Sequence, residues 1–300
     1  RRGLINNLSM DSLVAEVMSK DPIVASINDS KESILIKMKT LNILQIPVLD
    51  TNQKIVRLDL LQNLIEKTKY DNPVFLMAGG YGKRLYPLTK NIPKPLLKVG
   101  MKPILENILD QFIAEGFHNF YISVHYKAEI IREYFGDGSK WGVSIQYVVE
   151  NAPLGTAGSL GLLPKDISKL PIIMMNGDLL TKVNFQHLLS FHEENKDLAT
   201  MCVREFDYEV PYGVVEVTDG AIHSITEKPV KSFFVNAGIY VLDHQLIHRV
   251  DGITYLDMPS LIETLVNEKE SVNAFPIHEY WIDIGQMEEY QIAQKYFSEN

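Results

Sequence analysis

From Val74 onward, short apolar runs alternate with segments of helical period, and that rhythm restricts the chain to few architectures. "VFLM" (74–77), "NFYISV" (119–124), "SIQYVV" (144–149) and "PIIMMN" (171–176) have the length and the apolar content of buried strands. Between the first two, Ile104, Leu105, Ile108, Leu109, Phe112 and Ile113 fall on one helical face, which Gly116 closes. Strands separated by helices pair in parallel, and the helices cover both sides of the sheet. The expected fold class is therefore α/β: a Rossmann-like, mostly parallel mixed sheet flanked by helices. Beyond residue 198 strands dominate, in "ATMCVREF", "YGVVEV", "AIHSIT" and "FVNAGIYVL", and "EEYQIAQKYFSE" is expected to close the chain as a helix.

Residues 1–70 have a different pattern and form an expected first domain, with 71–300 as the second. A short helix is expected in "DSLVAEVMSK", then a strand, then a helix from about Ser30 with Ile34, Leu35, Met38 and Leu41 as its apolar stripe. The strands "IPVLD" and "KIVRL" follow, then a helix in "DLLQNLIEKTK", and "KYDNP" (69–73) has the composition of a linker. A net charge of −9 argues against a nucleic-acid partner. No run reaches the roughly eighteen apolar residues of a membrane span. The single cysteine, Cys202, forms no internal disulfide, is expected in the core, and fits a cytoplasmic setting. The chain opens on "RRGLINNLSM", without an initiator methionine, and is expected to be the remainder of a longer protein.

The stretch "MAGGYGKRLYPLT" (77–89) places Gly79, Gly80 and Gly82 just past a strand and follows them with Lys83 and Arg84. Bare backbone beside positive charge suits an anion, since a loop that opens a helix can aim several N–H groups at one phosphate. Two familiar phosphate loops do not fit. A Walker A loop needs glycine where Met77 stands and Ser or Thr where Arg84 stands, and a dinucleotide fingerprint needs glycine at Leu85. Asp178, in "MMNGDLL", follows a strand at the edge where open α/β sheets bind ligands, and Asp283, in "YWIDIGQ", ends another. Mg²⁺ prefers a few carboxylates plus phosphate oxygens, so two such aspartates suit a metal–triphosphate site.

"AGGYGKRLYPLT" together with "IPKPLL" (92–97) resembles the signature of the sugar-1-phosphate nucleotidyltransferases, AGGxGTRLxPLT followed by PKP. The resemblance runs from about Val74 to the end and departs at Lys83, where the family has Thr or Ser. It implies the nucleotide-diphospho-sugar transferase fold. It also implies a nucleotide site of Ala78, Gly79, Gly80, Gly82, Lys83, Glu150, Gly155 and Thr156, with magnesium on Asp178 and Asp283. By the same resemblance Arg84, Lys94, Asp178 and Lys228 are expected to take the catalytic roles, and Gly213, Glu227, Asn236 and Gly238 to line the sugar pocket. If Glu150 faces the base, its carboxylate only accepts hydrogen bonds, which matches the N1–H and N2 amino edge of guanine better than uracil or adenine.

Part of the first domain, "VMSKDPIVASINDSKESILIKMKTLNILQIPVLD", resembles a CBS motif, expected to be the second of a pair whose first copy was cut away. Asp59 remains of the adenosine-binding segment while its glycine and hydroxyl are missing, which leaves packing or dimerisation as the expected role. CBS modules fused to such a catalytic domain are similar to guanylyltransferases of legionaminic-type acid pathways. The expectation is an enzyme that makes a GDP-sugar and pyrophosphate from GTP and glucosamine 1-phosphate or mannose 1-phosphate, working as a homo-oligomer. The alternatives are a UTP- or dTTP-using enzyme of this kind and a non-catalytic nucleotide sensor. A related glycosyltransferase would show Asp-x-Asp where this chain has "NGDLL".

Overall fold

The computed structural model describes residues 18–19, 21–64 and 69–299. The helix expected in "DSLVAEVMSK" and the later part of "DLLQNLIEKTK" lie outside the described residues, apart from a turn of helix at Leu61–Leu64. The chain divides into two compact units, Arg1–Lys67 and Thr68–Asn300.

In the first unit, the strands Ala25–Ser26, Gln45–Leu49 and Ile55–Leu60 form a three-stranded sheet in that order, the first pair parallel and the second antiparallel. The helix Lys31–Thr40 starts at Ser30, whose hydroxyl accepts from the Ser33 amide, a cap that satisfies one of the helix's orphan donors. Ala25, Ile34, Met38, Ile46 and Val48 make a small core. The expected stripe is narrower than the sequence implied. Leu35 is only partly buried, and Leu41 lies beyond the last helical residue and is exposed.

The second unit is built on a seven-stranded sheet. Across it the order is Val272–Ile277, Ala199–Glu209, Val230–Leu242, Ile172–Asn176, Tyr70–Met77, Phe117–Val124 and Ser144–Val149. Val230–Leu242 alone runs against both neighbours, so the sheet is mixed and mostly parallel, the α/β class expected. Its central strands are apolar on both faces because helices cover both. Val74 and Leu76 face one buried cluster with Phe112, Phe120 and Phe185, whereas Phe75 faces another with Ile172, Met174 and Leu261. The helix Ile104–Ala114 buries Ile104, Leu105, Ile108, Leu109 and Phe112, and Gly116 takes φ 99° just after it, where a side chain would be strained.

"KYDNP" is not a linker: the strand begins at Tyr70, and Tyr70 pairs with Phe117. Pro73 is tolerated because it lies near the strand's start, before pairing on the second side begins at Val74. Cys202 is fully buried. Among the described residues, no helix is long and apolar enough to cross a membrane.

Candidate active site

Four neighbouring parallel strands end side by side at Met77, Val124, Val149 and Asn176. The ladder runs one residue further. Ala78 N donates to Ser123 O at 2.9 Å, Glu150 N to Val124 O at 3.0 Å, and Gly177 N to Met77 O at 2.8 Å. A cavity of ≈ 330 Å³ opens at this carboxyl edge. Of the residues singled out in the sequence, Ala78, Gly79, Gly80, Lys94, Glu150, Gly155, Thr156 and Asp178 line it.

The glycine loop does not open an α-helix. Three short 3₁₀ turns follow it, at Lys83–Leu85, Leu88–Lys90 and Lys94–Leu96, because Pro87, Pro93 and Pro95 deny a longer helix its amide donors. No helix dipole therefore acts at the loop, and its anion-binding capacity rests on its own amides. Among the described residues, the N–H groups of Gly79, Gly80, Tyr81 and Gly82 have no protein acceptor. Gly82 is required by backbone shape: its φ is 63°, and a Cβ there would lie 2.9 Å from Lys94 Cβ and Thr89 Cγ2. Gly80 is different, since a Cβ would meet nothing within 4 Å.

Lys94 is buried, and its Nζ donates to Asp178 Oδ2 at 2.5 Å. Asp283 reaches the same place through a two-stranded antiparallel ribbon, Leu179–Thr181 with Trp281–Asp283, in which Leu179 faces Asp283. Ile284 N donates to Asp178 O at 3.0 Å and fixes the register. Two carboxylates far apart in the chain thus become neighbours. Burial, and next the Asp178 charge, push the Asp283 carboxyl above its ordinary value, while Lys94 and Arg84 pull it down. Asp283 still meets solvent, which screens that repulsion. The Arg84 guanidinium passes Gly285, where a Cβ would stand 3.4 Å from Nη1.

These residues fit a divalent cation. A crowded pair of carboxylates beside unpaired amides is the donor set of an ion that takes its other ligands from phosphate and water. Among the described residues, no group of three His, Cys, Asp or Glu forms an all-protein metal cage.

The remaining sequence candidates lie apart from the cavity lining. Lys83 is exposed, with Nζ 5.3 Å from the Tyr81 ring. Gly213, Glu227 and Lys228 are exposed on the ribbon that leaves the sheet, and a Cβ at Gly213 would sit 2.9 Å from Glu227 Oε2. Asn236 donates to the Tyr240 hydroxyl at 2.6 Å and accepts from Gly238 N at 2.9 Å. A Cβ on Gly238 would meet Asn176 Nδ2 at 2.7 Å, so this pair sits directly behind a cavity residue.

The structure also shows what holds Glu150, and it adds Tyr255, Asp257 and Asn176, which the sequence did not reveal. Glu150 is buried, and both its oxygens are engaged: the Ser123 hydroxyl donates to Oε1 and Leu154 N to Oε2, the latter at 3.0 Å. Each oxygen keeps a second lone pair for another donor. Tyr255 and Asp257 line the cavity's far wall. Asp257 Oδ1 accepts from Thr156 N at 3.2 Å and Oδ2 from the Tyr255 hydroxyl at 2.7 Å, while Thr156 Oγ1 accepts from Met258 N at 2.8 Å. Gly155 permits this closeness, since a Cβ there would fall 2.5 Å from Leu256 O. Asn176 Oδ1 is buried without a protein partner among the described residues, an acceptor at the cavity wall suited to a ligand hydroxyl.

A family model described as nucleotidyl transferase matches residues 74–300. The mannose-1-phosphate guanyltransferase of Schizosaccharomyces pombe is 33% identical over 225 residues, 72% of this chain and 61% of that protein. That of Yarrowia lipolytica is 33% identical over 226 residues, with the same coverage. The chain thus spans 61% of the length of these curated relatives. HddC from Yersinia pseudotuberculosis, solved with GMP-PN, superposes with a TM-score of 0.60 at 25% identity, covering 75% of this chain and 99% of that one. A putative glucose-1-phosphate thymidylyltransferase from Bacillus anthracis, solved with sucrose, gives a TM-score of 0.63 at 22% identity and shares the fold, covering 76% of this chain and 96% of its own.

Proposed function

Since the chain belongs to the nucleotidyl transferase family, we propose that it joins a nucleoside triphosphate to a sugar 1-phosphate, releasing pyrophosphate. A phosphate oxygen of the sugar 1-phosphate bonds to the α-phosphorus, and the bond from that phosphorus to the pyrophosphate oxygen breaks. A phosphate monoester is already ionised near neutral pH, so no general base is needed, and catalysis consists of positioning and charge neutralisation. The free amides of residues 79–82 and Arg84 take charge on the triphosphate tail. Lys94 and Lys228 hold the two reacting phosphates. Asp178 and Asp283 would hold Mg²⁺, which when bound neutralises phosphate charge at the reacting centre.

The observation that carries this reading is the convergence of Asp178, Asp283 and Lys94 beside a glycine loop with unpaired amides. GTP is the proposed nucleotide, supported by the acceptor chemistry of Glu150, by the names of the guanyltransferase relatives, and by the guanine nucleotide on HddC. Those relatives favour mannose 1-phosphate as the sugar substrate. Glucosamine 1-phosphate, in a nonulosonic-acid pathway, rests on the CBS resemblance of the first unit, which we propose as a packing module. The sugar would sit over Asn176, with Glu227, Gly213 and Asn236 contributed by the neighbouring ribbon. Pyrophosphate release from four nucleoside triphosphates, each paired with a panel of sugar 1-phosphates, tests the reading. GTP with mannose 1-phosphate should lead. Faster turnover with UTP or dTTP would remove the role of Glu150, and full activity in Asp178→Asn would remove that of the acidic pair.

A further inference from the structure

Between the second and third glycines of the loop stands Tyr81, of which the catalytic reading uses only the amide. Its side chain lines the cavity, is 43% exposed, and is held by three neighbours. The hydroxyl lies 3.1 Å from His125 Nε2, and the two rings meet edge to face with centroids 5.6 Å apart. The Tyr126 ring lies 5.3 Å away, and the Lys83 ammonium stands over the Tyr81 ring face. Lys83, the one departure from the family signature, thus backs an aromatic ring and is not among the cavity's lining residues.

His125 is itself seated, with Nδ1 2.8 Å from Glu150 O. A carbonyl only accepts, so Nδ1 carries the hydrogen, and in the neutral ring Nε2 is left as an acceptor. The Tyr81 hydroxyl therefore donates to Nε2. One bonded chain runs from the backbone of Glu150 through the imidazole to the middle of the glycine loop. The main chain follows the same route. Tyr126 N donates to Gly79 O at 3.4 Å, and a Cβ on Gly79 would meet His125 Cβ at 3.3 Å and Glu150 Oε1 at 3.1 Å.

The loop needs such a support. Its amides, aimed at one anion, have no protein acceptor among the described residues, and no α-helix fixes them. Glycine backbone has many other conformations open to it, and a loop that must order itself on binding loses that cost from its affinity. Of residues 79–82 only Tyr81 has a side chain, so it is the one handle by which a side chain can hold the loop.

Resting on the nucleotidyltransferase reading, we propose that His125 is a positioning residue. By accepting from Tyr81 while fixed by the Glu150 carbonyl, it sets the loop amides for the triphosphate and ties them to the residue proposed to read the base. His125 does not line the cavity, so its effect passes through Tyr81.

Two variants remove the same bond from opposite ends. Tyr81→Phe deletes the hydroxyl and keeps the ring. His125→Asn keeps an amide donor near the Nδ1 position, and with it the bond to Glu150 O, but lacks the Nε2 acceptor. Calorimetric titration of the full chain with inorganic tripolyphosphate, in magnesium, reads the loop directly. Each variant should bind about two- to ten-fold more weakly, the worth of one neutral hydrogen bond, and the double variant should lose no more than either alone. In steady state, KM for GTP should rise by the same factor while KM for the sugar 1-phosphate holds, whereas general loosening of the fold would raise both. Should His125→Asn misfold, Tyr81→Phe, at a half-exposed ring, decides through tripolyphosphate and the two KM values. Native affinity in Tyr81→Phe overturns the proposal and leaves the catalytic reading standing. So does a loss confined to Tyr81→Phe, or losses that add in the double variant, because the hydroxyl then touches the anion itself. A native protein that binds no tripolyphosphate overturns both readings.

Discussion

Replacing Lys94 with methionine keeps its apolar length and removes the one ammonium group bonded to Asp178. The Lys94 side chain is 9% exposed and that of Asp178 is 28% exposed, so the pair lies between two known regimes. Breaking a fully buried pair costs about 3–5 kcal/mol, while breaking an exposed one costs about 0–1 kcal/mol. A loss of about 2 kcal/mol is expected for this half-sheltered case, which lowers Tm by about 4–8 °C for a unit of this size. The loss should also depend on pH with a definite sign. The folded state raises the Asp283 carboxyl above its ordinary 3.8, so folding binds that proton, and stability falls as pH rises from 3.8 through the raised value. Lys94 opposes that shift, so its removal widens the window, and the deficit should be largest at neutral pH and shrink toward pH 4. Calorimetry in chelator, at both pH values, measures it. Adding Asp178→Asn should restore most of the loss, because only one carboxylate then remains. A double variant no more stable than Lys94→Met, or a deficit that grows on acidification, would refute the reasoning.

Gly80→Ala should fold with native stability, since a Cβ there meets nothing within 4 Å. Titration calorimetry should nevertheless show weaker nucleotide binding, because the methyl group stands where a phosphate approaches the loop. Gly161→Ala should destabilise by at least about 2 kcal/mol in urea titration, because its Cβ would fall 2.2 Å from Gly252 N and no flexible side chain can yield. Glu150→Gln removes a charged acceptor worth about 1.5–3 kcal/mol. In steady-state assays kcat/KM for GTP should therefore fall about ten- to hundred-fold, with little change for UTP.

Much of the site was legible because its parts are local. Gly79, Gly80, Glu150 and Asp178 each sit just past an apolar run, and a parallel sheet gathers such positions at one edge without further instruction. Asp283 was singled out by its place at the end of another apolar run, whereas the role of Lys94 followed from the family resemblance rather than from any local pattern. That the glycine loop opens no α-helix has its reason in the chain: three prolines between residues 87 and 95 forbid one. Tyr255 and Asp257 had no such signal. They reach the cavity through glycines at 155 and 158 that admit a segment a hundred positions later, and no periodicity encodes that approach. The apolar alternation of Val214–Thr218 and Ala221–Thr226 was visible as strands, whereas the exposure of Val217 and Ile222 was not, because alternation marks a face for burial without saying what buries it.

Since the ribbon ending at Asp283 seats on Leu179–Thr181, the second carboxylate arrives only once the strand Trp281–Asp283 has left the ribosome, well after Asp178. A nascent chain still short of that strand already contains the glycine loop and the four neighbouring parallel strands, yet of the acidic pair it holds only Asp178. On the proposed function, such an intermediate can grip a nucleotide's anionic tail only loosely, so productive engagement with substrate is postponed until that strand has been made.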